Sequence, residues 1–167
     1  MSPKLQYTLI KIWHAWVGGA FLVAYLTADE DTYSMHLFAG YAVLAAIVVR
    51  LLAAMVAPAA GPLRLRRPSF GAVTAWFAVR KGRHPLFAWF AAALMIIVGL
   101  AALSGALADV FTWLEHPHEA IATASLWVIF GHIGFVVFIY GGKRLLGRIG
   151  DAVSHIRLSA SAKEHSR

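Results

Sequence analysis

Histidines are the residues of this sequence best suited to chemistry. The chain has 167 residues, of which 60% are hydrophobic, 14% are charged, 8 are histidine and none is cysteine. Without cysteine there are no disulfides, thiolate metal sites, iron–sulfur clusters or C-x-x-C-H attachment motifs. Four of the histidines, His14, His36, His118 and His132, lie in or at the ends of long apolar stretches. An ionisable side chain in such a stretch costs roughly 2.5–3.5 kcal/mol inside a bilayer, which makes it a mark of function by default. His118 and His132 are fourteen positions apart (132 − 118). In a helix that is four near-complete turns, with side chains within ~40° of each other and ~21 Å apart along the axis.

The elements that must position these residues are membrane spans. Soluble domains carry ~25% charged and ~45–50% apolar residues, so this composition excludes both a soluble globular protein and disorder. Four apolar spans are expected, at 8–27, 34–57, 86–108 and 119–140. Each is long enough to cross a ~30 Å hydrocarbon layer as a helix. Helix is required because lipid offers no partner for backbone polar groups. The fold class expected is therefore all-α, an integral membrane four-helix bundle over residues 1–142, followed by a basic tail at 143–167. The first apolar stretch reads as a span and not as a cleaved signal peptide, being too long, interrupted by His14 and without a small-residue cleavage pattern.

Charge sorts the two sides. Lys4 and Lys11 precede or begin the first span, Arg64, Arg66, Arg67, Arg80, Lys81 and Arg83 fill the second loop, and Lys143, Arg144, Arg148, Arg157, Lys163 and Arg167 lie in the tail. The first and third loops have no Lys or Arg and carry Asp29, Glu30, Asp31, Asp109, Glu115 and Glu119. By the positive-inside rule both termini are expected in the cytoplasm. The net charge of +7 is then a topology signal, and nucleic acid is not an expected partner.

With this orientation the histidines fall into two level pairs, His36 with His118 near the outer surface and His14 with His132 toward the inner one. Paired neutral imidazoles on facing helices are the arrangement that ligates haem iron from both sides. Glycines stand beside them: Gly18 and Gly19 after His14, Gly40 after His36, Gly131 and Gly134 around His132. They would clear space for a porphyrin or serve close helix packing. Arg50 is fourteen residues after His36 (50 − 36), on nearly the same face. It would meet a haem propionate or snorkel to the inner interface. Outer propionates would fall to Thr32, Tyr33, Ser34, His116 or water. His116 is turned ~160° from the His132 face and is expected in the loop, with Pro117 at the helix start.

Two further segments are amphipathic: Phe70, Val73, Trp76 and Phe77, and in the tail Leu145, Leu146, Ile149, Val153 and Ile156. They would lie in the inner interface or pack beneath the bundle. His84, beside Arg83 and Pro85, is interfacial, either solvated or in an inner quinone or proton site. His155 and His165 in the tail carry no evident chemistry.

The sequence resembles the bacterial cytochrome b561 family, which includes hydrogenase-type cytochrome b subunits. The resemblance is carried by Trp13-His14, by M-H-L-F-A-G-Y-A-V-L-A-A-I-V-V-R-L-L from Met35, by H-P-L-F-A-W-F-A-A-A-L-M from His84, by L-S-G at Leu103 and by H-E-A-I-A-T-A-S-L-W-V-I-F-G-H from His118. It touches all four spans in order. Trp13 and Pro85 depart from the leucine and asparagine frequent in the family. The resemblance implies a four-helix bundle with two non-covalent haem b groups, ligated by His14, His36, His118 and His132, and electron transfer between quinone and a partner.

The function expected is that of a di-haem membrane cytochrome moving electrons across or within the bilayer in a respiratory chain. The alternative is a haem b anchor subunit serving a soluble hydrogenase or dehydrogenase. A histidine-based metal or proton path fits less well, because transport sites gather at the midplane on broken helices.

Overall fold

The computed structural model describes the backbone of residues 1–79 and 84–164, and side chains over 1–79 and 84–142. All regular structure among these residues is helical. In chain order the helices are α1 (Pro3–Leu26), α2 (Tyr33–Val56), α3 (Phe70–Val79), α4 (Leu86–Ala108) and α5 (Glu115–Glu164), with single 3₁₀ turns at Glu30–Thr32 and Thr112–Leu114. Four of them are long and apolar enough to cross a membrane: α1, α2 with its preceding turn, α4, and the 112–142 stretch that contains the start of α5. The chain is thus of the multi-pass membrane type. It divides into two compact units, residues 1–128 and 129–167, and each is described by itself.

Two helix starts differ from the sequence expectations by more than one residue. α1 starts at Pro3, not at Thr8, because Ser2 caps it by accepting the Leu5 N–H and proline occupies the first turn, where its missing donor is harmless. α5 starts at Glu115, so His116 is in its first turn and not in a loop. Pro117 is tolerated there because first-turn N–H groups have no intrahelical acceptor. The backbone of α5 continues unbroken beyond 140 into the tail. The tail side chains, including Leu145, Leu146, Ile149, Val153, His155 and Ile156, lie outside the described residues, as do Arg80, Lys81, Arg83 and His165.

Within the first unit α2 packs on both α1 and α4. Its buried residues, Ala39, Val43, Ala46, Ile47, Arg50 and Ala54, recur at helical spacing. They meet an equally small-residue face of α4: Val98, Ala101, Ala102, Ser104 and Ala108. Lipid provides no hydrophobic drive between helices, so close approach through small residues and hydrogen bonds has to hold them. The indole N–H of Trp13 on α1 supplies one such bond, donating to the Ala46 carbonyl at 2.8 Å. α3 turns one side toward α4, with Phe70 on Trp89 at 4.7 Å between ring centroids. It leaves Phe70 and Phe77 largely exposed.

The segment after α2 is clasped to α1. Gln6, only 3% exposed, accepts the Leu63 N–H at 3.3 Å and donates to the Met1 carbonyl at 3.3 Å. A Cβ on Gly61 would fall 2.6 Å from the Gln6 Oε1 and 3.1 Å from the Pro58 carbonyl oxygen. Gly61→Ala should therefore break the clasp and destabilise the chain by about 1–3 kcal/mol, the usual cost of overpacking. Thermal unfolding in detergent measures it.

Candidate functional site

α2, α4 and the first turns of α5 line a cavity of about 840 Å³, with the C-terminal end of α1 as a further wall. That is within the range of cofactor sites. The structure brings His36 and His118 together in it, with ring centroids 6.1 Å apart and planes crossing at 68°. Two imidazoles that each sit about 2.0 Å from a shared metal ion have ring centres on the order of 6 Å apart. Tyr33 stacks on His36 at 5.9 Å and 16°.

The hydrogen bonds fix which nitrogen of each ring carries the proton. His36 Nδ1 lies 2.7 Å from the Ala24 carbonyl oxygen. A carbonyl only accepts, so Nδ1 holds the hydrogen and Nε2 keeps its lone pair. His118 Nδ1 lies 3.1 Å from Ser104 Oγ, and that hydroxyl donates to the Ala101 carbonyl at 3.0 Å. With its one hydrogen committed, Ser104 accepts from His118 Nδ1–H. Both rings are therefore Nδ1–H tautomers with a basic Nε2, as outer partners arrange at metal-ligating histidines. His84 is the contrast: its Nδ1 accepts the Leu86 N–H at 3.3 Å, which leaves the proton on Nε2.

His118 lies against the backbone of α4 because position 105 is glycine. A Cβ there would stand 2.9 Å from His118 Cε1 and 3.3 Å from both ring nitrogens. Gly40, one turn after His36, lines the cavity, and a Cβ on it would meet nothing within 4 Å. The same openness holds at Gly18 and Gly19, so none of the three is a site of close helix packing in this structure. Of the side chains considered for outer propionates, Tyr33 lines the cavity, whereas Thr32, Ser34 and His116 do not. Glu30, Glu115 and Glu119 also line it. Tyr41 donates to Asp109 Oδ2 at 3.1 Å, a tie between α2 and the end of α4.

His14 and His132 belong to the first and second unit respectively. On α1, His14 shares a face with Phe21 and Tyr25, seven and eleven residues on, at ~20° each, and both of these line the cavity. His132 is half-buried on α5. Arg50 is 8% exposed. Its guanidinium donates to the Leu63 carbonyl at 2.8 Å and lies over the Trp13 ring at 5.8 Å.

Sequence spacing did not single out Ser104, Gly105 or the Ala24 carbonyl as partners of the histidines. The only signal for the first two was the L-S-G stretch at Leu103, one helix away from the ring it serves. Ser104→Ala removes the acceptor of His118 Nδ1–H. It should turn His118 into a mixture of tautomers, read from ¹⁵N-histidine chemical shifts of the chain before any cofactor is added.

The donor set suits a group that brings most of its own ligands. Among the described residues no cluster of three or more His, Cys, Asp or Glu could hold a bare ion, and structural zinc takes four protein ligands. Two imidazoles at this separation could serve a group that brings further ligands of its own. Comparison with family models, curated proteins and solved structures finds no match to this chain.

Proposed function

We propose that this chain is a b-type membrane cytochrome that carries electrons across or within the bilayer between a quinone pool and a redox partner. The observation that supports it best is the His36–His118 pair, two Nδ1–H imidazoles 6.1 Å apart, in a cavity on the scale of a cofactor. These two residues would hold one non-covalent haem b. Haem b held there would supply one-electron transfer. The chain's part is to hold both rings by Nδ1 through Ala24 and Ser104, to seat the His118 ring against Gly105, and to keep the walls apolar through Val98, Ala101 and Ala102. A second haem at His14 and His132 rests on the sequence spacing and on the resemblance to the cytochrome b561 family. The distribution of Lys and Arg supports an orientation with both termini in the cytoplasm, and the resemblance to the cytochrome b561 family supports a bacterial inner membrane location.

The test is a visible spectrum of the purified chain after cofactor-replete expression, with acid extraction of the pigment. Low-spin bands that sharpen on reduction, from a pigment that extracts without cleavage, are expected. A colourless chain would end this reading.

A further inference from the structure

A second recess lies between α1 and α2, about 520 Å³ in volume. Its α1 wall includes Leu9, Trp13 and Trp16, its α2 wall runs from Ala42 to Ala53, and Leu63 lies at its end. Eleven helical rises make that wall ~16 Å long, about the reach of a fatty acyl chain within one leaflet. The lining is apolar except for Arg50.

Arg50 makes the recess more than a packing defect. It is more than nine-tenths buried, and its guanidinium carries a full charge that a bilayer cannot solvate. The partners seen are the neutral Leu63 carbonyl and the face of Trp13. Every acid in residues 1–128, namely Asp29, Glu30, Asp31, Asp109, Glu115 and Glu119, lies just before α2, just after α4 or in the first turn of α5. Those are the helix ends remote from Arg50, which is six residues from the other end of α2. No carboxylate of this unit can neutralise it. The recess is also distinct from the histidine cavity. His14, which faces that cavity's side of α1, is ~100° around the helix from Trp13, and His14 does not line the recess.

We propose that the α1–α2 recess binds one anionic phospholipid, with its acyl chain along Trp13, Trp16 and Ala45 and its phosphate on Arg50. The charge asks for an anion, and the apolar walls ask for a chain attached to it. A lipid supplies both from the leaflet that the recess opens to, and Arg50 donates through the N–H groups that Leu63 leaves over. Arg50 would then be bound by this phosphate in place of the haem propionate that its sequence position suggested.

The experiment is native mass spectrometry of the full chain released from detergent, titrated with phosphatidylglycerol or phosphatidylcholine of the same acyl chains. Retention of phosphatidylglycerol about fivefold above phosphatidylcholine is expected, which equals about 1 kcal/mol for one basic side chain. Arg50→Gln should bring the ratio to about one. Should that variant not fold, Ala45→Phe fills the recess and leaves Arg50 in place; it should lower retention of both lipids. Dibrominated phosphatidylglycerol should quench tryptophan fluorescence less in Trp16→Phe than in the unaltered chain. An unchanged ratio in Arg50→Gln, or undiminished binding in Ala45→Phe, overturns the proposal. So does a quinone retained in place of phospholipid, or a dimer lost on filling the recess, which would put a second copy of the chain there.

Discussion

His118→Ala should remove one haem from the chain and leave the other, taking the ratio of haem to protein from about two to about one. His36→Ala should remove the same haem, and the double variant should lose no more than either single one. The reason is geometric. The two ring centroids lie 6.1 Å apart, so both imidazoles would serve the same haem, and loss of either should weaken that one site. Redox titration of each variant identifies which haem remains. If His36→Ala and His118→Ala removed different haems, the pairing would be wrong even with the cytochrome reading intact. Loss of both haems from either variant would mean that the sites fold as a unit.

The second large effect is expected at a residue with no side chain. Gly105→Val places carbon where His118 Cε1 already stands 2.9 Å from an added Cβ, and the neighbour there is a ring fixed at Nδ1, not the free end of a flexible chain. The ring must leave Ser104 or the helices must part, at a cost of about 1–3 kcal/mol. The variant should match His118→Ala in haem content while remaining folded by circular dichroism. Gly40→Ala is the control, because its Cβ meets no atom within 4 Å. It should leave the melting temperature of the haem-free chain unchanged, and weaken haem binding if its role is clearance. Equal tolerance of both substitutions in haem content would show that the His118 ring is not held where the structure puts it.

The spans were legible because lipid imposes one rule on every residue of a crossing helix. α4 runs over the expected residues 86–108, and α2 is displaced by one residue at each end. The expected depth of His36 and His118 could be counted in rises of the helix, so their shared level was open to sequence reasoning. Rotation and cross-helix contact were not. Ser104 meets His118 because α4 and α5 settle against each other at one particular angle, and no spacing within either helix encodes that angle. Arg50 is a similar case. Its helical position is close to the His36 face, yet its side chain turns toward Leu63, a residue of the irregular segment between α2 and α3. Long side chains on a helix edge are directed by whichever polar group is within reach, and the reach of Arg50 was set by a loop whose path no periodicity describes. The start of α5 was missed because Pro117 was read as the first helical residue, whereas prolines are accepted throughout the first turn.

The bonds from Ala24 to His36 and from Ser104 to His118 also bear on biogenesis. Both join one part of the polypeptide to another. On the proposed function, chain prepared without haem should therefore already show the Nδ1–H form of both rings in ¹⁵N-histidine spectra, and should take up added pigment without a change in helix content.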